Sequence, residues 1–287
     1  MVKLTVQGVS DESTPHLRDE SLTDYGRDDV ACIVVNWSTP DDLKRCIDSA
    51  FDIEGPMYWS IWENHHDEKQ MRDRNQKAVT DLVSGRSRWI VIQRGKENYG
   101  HGYGSNRAAE LAVRFFDPEY LFLVNPDAKW VEPILDKMID FLDAHPKAAM
   151  VGPKQMDSRY RITAGGIKGD NVGAKHRFWL QHDQANEVAR DTFMAPTIAG
   201  SAILVRAKVF MELGGLLEAK HYYSETWLCY HARTHGYEVW YHGEAWMIHE
   251  WHQSSRHGSP QTDGKMQEDR ALFRKMCDEH DPQIPHD

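Results

Sequence analysis

Short, mainly apolar runs alternate with amphipathic stretches through the first half of the chain. The runs have the length and β-branched content of buried strands, and they occupy 30–37, 58–63, 89–93, 120–124 and 149–152. Between them, apolar residues recur at helical spacing, as in Leu43, Ile47 and Ala50. Strands that alternate with helices predict an α/β fold with a mostly parallel sheet covered on both faces.

The second half has a different pattern. Residues 153–196 are polar and weakly periodic, which favours loops or a short hairpin over a site. Further strands are predicted at 202–205, 237–241 and 245–248, and further helices at about 224–235 and 265–277. These changes divide the chain into an N-terminal arm or edge strand at 1–28, two halves at 29–152 and 153–255, and a C-terminal helical tail at 256–287.

Composition narrows the class of protein. The 287 residues carry a net charge of −10, which argues against binding nucleic acid mainly through phosphate neutralisation. The four cysteines form no C-x-x-C pair, and no apolar run approaches the roughly 20 residues that span a bilayer. We therefore expect a soluble, cytoplasmic protein without a disulfide framework or a transmembrane segment.

A glycine-rich segment, Asn98–Asn106, lies between the third predicted strand and a helix predicted at about 106–116. Glycines allow close backbone approach, and the N-terminus of a helix offers free N–H groups to an anionic ligand. The dinucleotide fingerprint is not met, because Ser105 stands where a third glycine is required, so a nicotinamide dehydrogenase is disfavoured. The alternative interpretation is a flexible turn without a ligand.

Three acidic or imidazole side chains are candidates for chemistry. Asp127 follows the fourth strand directly, where a carboxylate can hold Mg²⁺ or Mn²⁺, although Asn125-Pro126-Asp127 is also a common turn. Glu225 lies in the first turn of a predicted helix, either as a general base or simply because the helix dipole favours an acid there. His249 ends a predicted strand and can bind a divalent ion.

The order of these segments resembles the family 2 glycosyltransferases of GT-A fold, particularly the branch related to rhamnosyltransferases. The matching segments are Val34-Val35-Asn36-Trp37, Trp62-Glu63-Asn64, Glu97 through Asn106, Leu123-Val124-Asn125-Pro126-Asp127, Gly200 through Arg206 with Gly214-Gly215, and Glu244 through Ser254. They spread over positions 30–255. The resemblance implies that the first half binds a nucleotide sugar and that the second half binds the acceptor and carries the catalytic base.

One motif departs from the pattern of the family. Where the family usually has E-D-x-D-L, this chain has Ser224-Glu225-Thr226-Trp227-Leu228. Glu225 then takes the place of the catalytic base with one extra methylene, and Trp227 replaces the second acid. We expect an unusual acceptor, with Trp227 as a ring on which a sugar or a nucleobase stacks.

The resemblance implies an inverting, metal-dependent transfer of a sugar from a nucleoside diphosphate sugar to an acceptor hydroxyl. Glu225 would be the catalytic base, and Asp127 and His249 would hold Mg²⁺ or Mn²⁺. The implied donor-binding residues are Val35, Asn36, Glu63, Asn98, Gly100, Asn106, Asn125 and Asp127, and the implied acceptor-binding residues are Gly200, Ser201 and Trp227.

Two alternatives follow from the same residues. The missing second acid would suit a non-catalytic nucleotide-sugar-binding protein. A nucleotidyltransferase would share the parallel sheet and the metal-binding carboxylate, but it normally carries a Gly- and Arg-rich loop after its first strand. A glycan or lipid-linked glycan is the expected acceptor. A modified DNA base is a less favoured acceptor, which would use the arginines at 86, 88, 94 and 107.

Overall fold

A computed structural model describes residues 27–84, 86, 89–168, 175–183, 187–250 and 261–280. The predicted N-terminal arm, 1–28, lies outside these residues except for Arg27 and Asp28, which begin the first strand.

The elements follow the predicted alternation. The strands are β1 (Arg27–Asn36), β2 (Met57–Glu63), β3 (Ile90–Arg94), β4 (Tyr120–Val124), β5 (Ala128–Lys129), β6 (Ala148–Met156), β7 (Ile162–Ala164), β8 (Ile167–Lys168), β9 (Lys175–His176), β10 (Thr192–Met194), β11 (Ala202–Arg206) and β12 (Glu238–His249). The helices are α1 (Pro40–Glu54), α2 (Lys69–Ser84), α3 (His101–Phe116), α4 (Leu135–Ala144), α5 (Ala207–Glu212), α6 (Ser224–Thr234) and α7 (Gln261–His280).

One sheet contains strands of both predicted halves. Its order is β10-β12-β6-β11-β4-β1-β2-β3, with β5 paired to β12 and β7 paired to β6. β3, β2, β1 and β4 run parallel, β11 is antiparallel to β4 and β6, and β12 runs parallel to β6. The predicted α/β class with a mostly parallel central sheet is confirmed.

The core lies on both faces of this sheet, because alternate residues of a strand point to opposite faces. On one face, Trp59 contacts Trp130 with ring centroids 6.0 Å apart. On the other face, Tyr58 stacks on Phe116 of α3 at 4.2 Å. Burial of each such ring contributes about 1.5–3 kcal/mol, so β2 is held from both sides.

The strands predicted at 237–241 and 245–248 form one strand, β12, with a register shift between His242 and Trp246. The polar residues between the two predicted strands are therefore a bulge. A side chain at Gly243 would collide with the backbone of Arg190, so glycine is required where the strand passes that segment. The bulge keeps β12 continuous and brings His249 to the same edge as the end of β4.

Candidate active site

A cleft of about 700 Å³ opens at the edge of the sheet where the parallel strands β1, β4, β6 and β12 end. This is the edge at which open α/β sheets bind ligands. The predicted site residues that line it are Val35, Asn98, Gly100, Asn125, Asp127, Gly200, Ser201, Glu225 and His249. Residues separated by up to 214 positions in the sequence are thus brought to one cavity.

Asp127 and His249 form a pair in this cleft. Oδ1 of Asp127 lies 3.2 Å from Nε2 of His249, and each side chain is only about a tenth exposed. Nδ2 of Asn125 lies 3.5 Å from the same imidazole nitrogen. Carboxylate oxygen and imidazole nitrogen therefore converge on one point at the end of the sheet.

Strand register explains why these two side chains meet. Val124 ends β4, and the N–H of Asn125 then donates to the carbonyl of Ser201 at 3.0 Å, which fixes the turn. Ala128 pairs with His249 across β5 and β12, so Asp127, one residue earlier, lies beside the imidazole. The pair is set by backbone hydrogen bonds of the sheet rather than by a flexible loop.

Glu225 lies in the first turn of α6 and lines the same cleft. Its side chain packs over Gly200, where an added Cβ would lie 2.7 Å from Cδ of Glu225. Burial raises the pKa of the Glu225 carboxyl above its ordinary value, and a hydrogen bond from its own backbone N–H opposes the shift. A carboxylate with a raised pKa is a stronger base, which suits proton abstraction near neutral pH.

The structure adds cleft residues that the sequence analysis did not identify as site residues. Lys220, His221 and Tyr222 precede α6 and line the cleft, as does His101 at the start of α3. Burial and the neighbouring His221 lower the pKa of His101 to about 4, so its imidazole is neutral at ordinary pH. The Lys220 ammonium makes no hydrogen bond or ion pair with any residue that the structure describes. No periodicity marks this segment, so sequence patterning offers no signal for it.

The sequence predicts that the glycine-rich segment is a loop that presents free N–H groups to a ligand. The structure does not have such a loop. α3 begins at His101 rather than near Asn106, and Gly102 and Gly104 lie in its first turns. The N–H groups of His101 and Gly102 donate to the carbonyls of Lys220 and Ala219, at 3.0 and 3.3 Å. The glycines allow close packing, since a Cβ on Gly100 would lie 2.6 Å from Cα of Lys220.

Three predicted donor-binding residues do not line the cleft. Nε of Arg94 donates to Oε2 of Glu63 at 2.7 Å, and burial raises the pKa of Glu63 while Arg94 opposes the shift. Both polar atoms of the Asn106 amide are bonded to the backbone of Leu216: Oδ1 accepts from its N–H at 2.8 Å and Nδ2 donates to its carbonyl at 2.9 Å. Asn36 is completely buried at the end of β1 and accepts a hydrogen bond from Thr39.

Asn64, rather than Glu63, reaches the cleft from the end of β2. Successive side chains of an extended segment point to opposite faces, so Glu63 is turned toward Arg94 and Asn64 toward α3. The amide of Asn64 donates to the carbonyl of Gly100 at 3.2 Å and accepts from the indole N–H of Trp62 at 2.8 Å. Asn64 thereby fixes the turn that carries Asn98 and Gly100.

Trp227 also does not line the cleft, which corrects the prediction of an acceptor-stacking ring. It is 4% exposed and packs in a cluster with Tyr230, Phe273 and Cys277, the last two from α7. Helical geometry explains this placement, because a residue two positions after Glu225 points to a different face of α6. The position that holds an acid in the resembled family holds a packing residue here.

The carboxylate and imidazole in the cleft are suitable ligands for a divalent ion that also binds a substrate. Mg²⁺ and Mn²⁺ favour one or two carboxylates together with substrate phosphates, and imidazole suits Mn²⁺ as well. Asp127 and His249 would supply two such ligands. Among the residues that the structure describes there is no cluster of three or more potential metal-binding side chains, so the remaining ligands would come from water and substrate.

Two further predictions concern the end of the closing motif and membrane-spanning segments. Ser254, the last residue of the resembled closing motif, lies outside the described residues. No helix in the described part of the chain is long and apolar enough to cross a membrane.

No protein-family model matches the chain, and no curated protein matches it. Solved structures do match. The mannosyltransferase PcManGT from Pyrobaculum calidifontis, in complex with GDP-Man and Mn²⁺, superimposes with a TM-score of 0.56 at 13% identity, over 77% of this chain and 56% of that one. GalNAc-T7 with UDP, GalNAc and Mn²⁺ gives a TM-score of 0.61 at 12% identity, over 81% of this chain and 45% of that one.

TarS from S. aureus gives a TM-score of 0.53 at 11% identity, over 87% of this chain and 72% of that one. This chain spans about half the length of the first two proteins. Likeness at this level of identity shows the fold alone, which is GT-A-like.

Proposed function

We propose that this chain is an inverting, metal-dependent glycosyltransferase that moves a sugar from a nucleoside diphosphate sugar to an acceptor hydroxyl. The observation that carries the proposal is the arrangement of the cleft. The Asp127–His249 pair and Glu225 line the same cavity. The pair lies on the wall formed by the strand ends, the sheet wall, and Glu225 lies on the wall formed by the start of α6, the helix wall. Two of the similar structures contain Mn²⁺ together with GDP-Man or with UDP and GalNAc, which supports the same class of donor and ion.

On the sheet wall, Asp127 and His249 would hold Mg²⁺ or Mn²⁺ beside the diphosphate of the donor. Such an ion neutralises the negative charge that develops on the leaving group. Asn125 lies next to the imidazole and would orient it through its amide. Val35, Asn98 and Gly100 line the cleft and would contact the nucleoside. Asn36, Glu63 and Asn106 would support that wall from outside the cleft.

On the helix wall, Glu225 would take the proton from the acceptor hydroxyl. The acceptor oxygen forms a bond to the anomeric carbon as the bond from that carbon to the diphosphate oxygen breaks. Attack from the face opposite to the diphosphate inverts the configuration. Gly200 and Ser201 line the cleft between the two walls, where an acceptor would approach.

A glycan is the acceptor that the family resemblance implies, with a lipid-linked glycan as a variant. A DNA acceptor is disfavoured, because the arginines considered for it are paired with carboxylates. Arg86 pairs with Asp48 at 2.5 Å, Arg94 with Glu63 at 2.7 Å and Arg107 with Glu110 at 2.7 Å. Arg88 lies outside the described residues.

Replacement of the base tests the proposal. Glu225→Gln keeps the shape of the side chain but cannot accept the proton, so transfer should fall by about 10²–10⁴-fold while nucleoside diphosphate affinity is unchanged. Glu218→Gln, on an exposed carboxylate of the same segment, is the matched control and should leave transfer intact. A panel of UDP-, GDP- and dTDP-sugars with Mn²⁺ supplies the donor, and NMR of the product reports the anomeric configuration.

Retained transfer in Glu225→Gln would show that this carboxylate is not the base, and a product of retained configuration would contradict inversion. Slow donor hydrolysis by the unmodified protein separates an enzyme from a non-catalytic binder. The binder is the second candidate, since Trp227 fills the place of the second acid with a packing residue. Tight binding with no hydrolysis and no transfer would favour it.

A further inference from the structure

The segment Ala219–Tyr222, which lines the cleft before α6, lies between two helices and is hydrogen-bonded to both. On one side, the carbonyls of Ala219 and Lys220 accept from the first N–H groups of α3. On the other side, the segment faces α7, which follows it by about 40 residues in the chain. Without such bonds a segment of this kind, with no strand or helix of its own, would be free to move.

The contact with α7 is made by one carboxylate. Oδ1 of Asp269 accepts from the N–H of Lys220 at 3.1 Å, and Oδ2 accepts from the N–H groups of His221 and Tyr222 at 2.9 and 3.0 Å. Asp269 is 6% exposed. Three N–H groups bound to one buried carboxylate form a strong, charge-assisted arrangement that fixes three consecutive peptide units.

α7 also contacts the residues that immediately precede Glu225. Tyr223 adopts a left-handed backbone conformation with φ of 66°, which is costly for a bulky residue. Its ring stacks on Phe273 of α7 with centroids 5.4 Å apart. Met266, also from α7, lines the cleft itself. The position of α7 therefore determines where the chain turns into α6, two residues before Glu225.

We propose that Asp269 is a positioning residue of the active site and that α7 is a functional wall of the cleft rather than a peripheral tail. Through three backbone hydrogen bonds, Asp269 sets the places of Lys220, His221 and Tyr222 and, through the turn at Tyr223, that of the Glu225 carboxylate. This inference rests on the proposed function. The Asp127–His249 pair is held by the sheet, so it does not depend on Asp269.

Asp269→Asn tests the inference. The amide replaces one acceptor oxygen by an NH₂ group that faces backbone N–H groups, so at least one of the three bonds is lost. We expect kcat for transfer to fall about 10–100-fold, because displacement of a catalytic group by about 1 Å has an effect of that size. The Kd for nucleoside diphosphate with Mn²⁺ should stay within about threefold, since the metal pair is untouched.

Met276→Ala is the matched control, because it loosens the packing of α7 while leaving the carboxylate in place. When the two variants are compared at the same loss in Tm, Met276→Ala should retain a much higher kcat than Asp269→Asn. Equal kcat loss in both variants would overturn the proposal, since α7 would then act only through stability. Asp269→Glu keeps the charge but shifts it by one methylene, and should give an intermediate kcat with unchanged donor affinity.

Hydrogen exchange supplies a readout that does not depend on catalysis. In Asp269→Asn, the amides of Lys220, His221 and Tyr222 should exchange at least about 10-fold faster relative to those of β4, which remain protected. Unchanged exchange at these amides would overturn the positioning role even if no sugar donor were found. Failure of the unmodified protein to bind any nucleoside diphosphate would instead contradict the proposed function.

Discussion

The two walls of the cleft are built differently. The wall with Asp127 and His249 consists of strand ends, and each side chain is placed by the register of the sheet. The wall with Glu225 consists of a segment and a helix start, and it is placed by contacts from α3 and α7. The first wall is fixed by the core of the fold, whereas the second depends on a few specific side-chain contacts.

This difference suits the two proposed roles, donor binding on the sheet wall and acceptor activation on the helix wall. The charges of a diphosphate and a metal ion require ligands at fixed distances, which a buried sheet edge provides. The acceptor varies among enzymes that share a fold, and loops tolerate such variation without loss of the core. We therefore expect substitutions on the sheet wall to affect donor binding or stability, and substitutions on the helix wall to affect kcat.

The largest difference between the two walls is expected for Gly200→Ala. The new methyl would lie 2.7 Å from Cδ of Glu225, so the carboxylate must move. We expect a loss of about 10–100-fold in kcat with unchanged nucleoside diphosphate affinity, measured by steady-state kinetics and titration calorimetry. A proportionate loss of donor affinity would show that the two walls are not independent.

Gly104→Ala probes the packing behind the sheet wall. Its Cβ would lie 2.6 Å from Cδ1 of Trp62 and 3.0 Å from Cγ2 of Val35, so α3 cannot keep its distance from the sheet. Overpacking of this kind costs about 1–3 kcal/mol, and chemical denaturation should show a loss in that range. Gly264→Ala in α7 is the control, because nothing lies within 4 Å of its Cβ, and it should instead stabilise the helix. A tolerated Gly104→Ala would contradict the close-packing role of this glycine.

How much the sequence predicts also differs between the walls. Buried strands are visible as apolar runs, so the sites of Asn125, Asp127 and His249 at strand ends were predictable. Their convergence needed the strand order, which periodicity does not contain. Glu225 could be placed by resemblance to a motif, but Lys220, His221 and Asp269 meet through side-chain contacts with backbone N–H groups, which leave no pattern in a single sequence.

The misplaced residues have a common physical cause. Trp227, Glu63 and Asn106 were assigned from motif positions, and each lies on a face of its element that points away from the cleft. A motif gives the position of a residue along the chain to within one or two places. A shift of one residue reverses the face of a strand, as Glu63 and Asn64 demonstrate.

A smaller effect is expected from pH, at the contact between α6 and α7. Burial and the neighbouring His235 and His280 lower the pKa of His231 from 6.5 to about 4. Because the unfolded chain takes up this proton near pH 6.5 and the folded chain only near pH 4, the free energy of unfolding should fall as pH decreases through that window.

His231→Phe should reduce this loss of stability in a series of thermal melts, and the control His182→Gln, at an exposed histidine, should not. An unchanged pH dependence in His231→Phe would remove His231 as its source. His101 has a similarly lowered pKa, so some dependence should persist.

We propose that the Asp127–His249 pair binds the diphosphate of a sugar donor through a divalent ion. The most direct measurement is the Kd of UDP, GDP and dTDP, with and without Mn²⁺, for the unmodified protein, Asp127→Asn and the control Asp42→Asn, whose carboxylate lines the same cleft. We predict that one nucleotide binds in a Mn²⁺-dependent manner, that Asp127→Asn weakens this binding by about 10–100-fold, and that Asp42→Asn does not. Mn²⁺-independent binding, or Mn²⁺-dependent binding that Asp127→Asn leaves intact, would contradict the account.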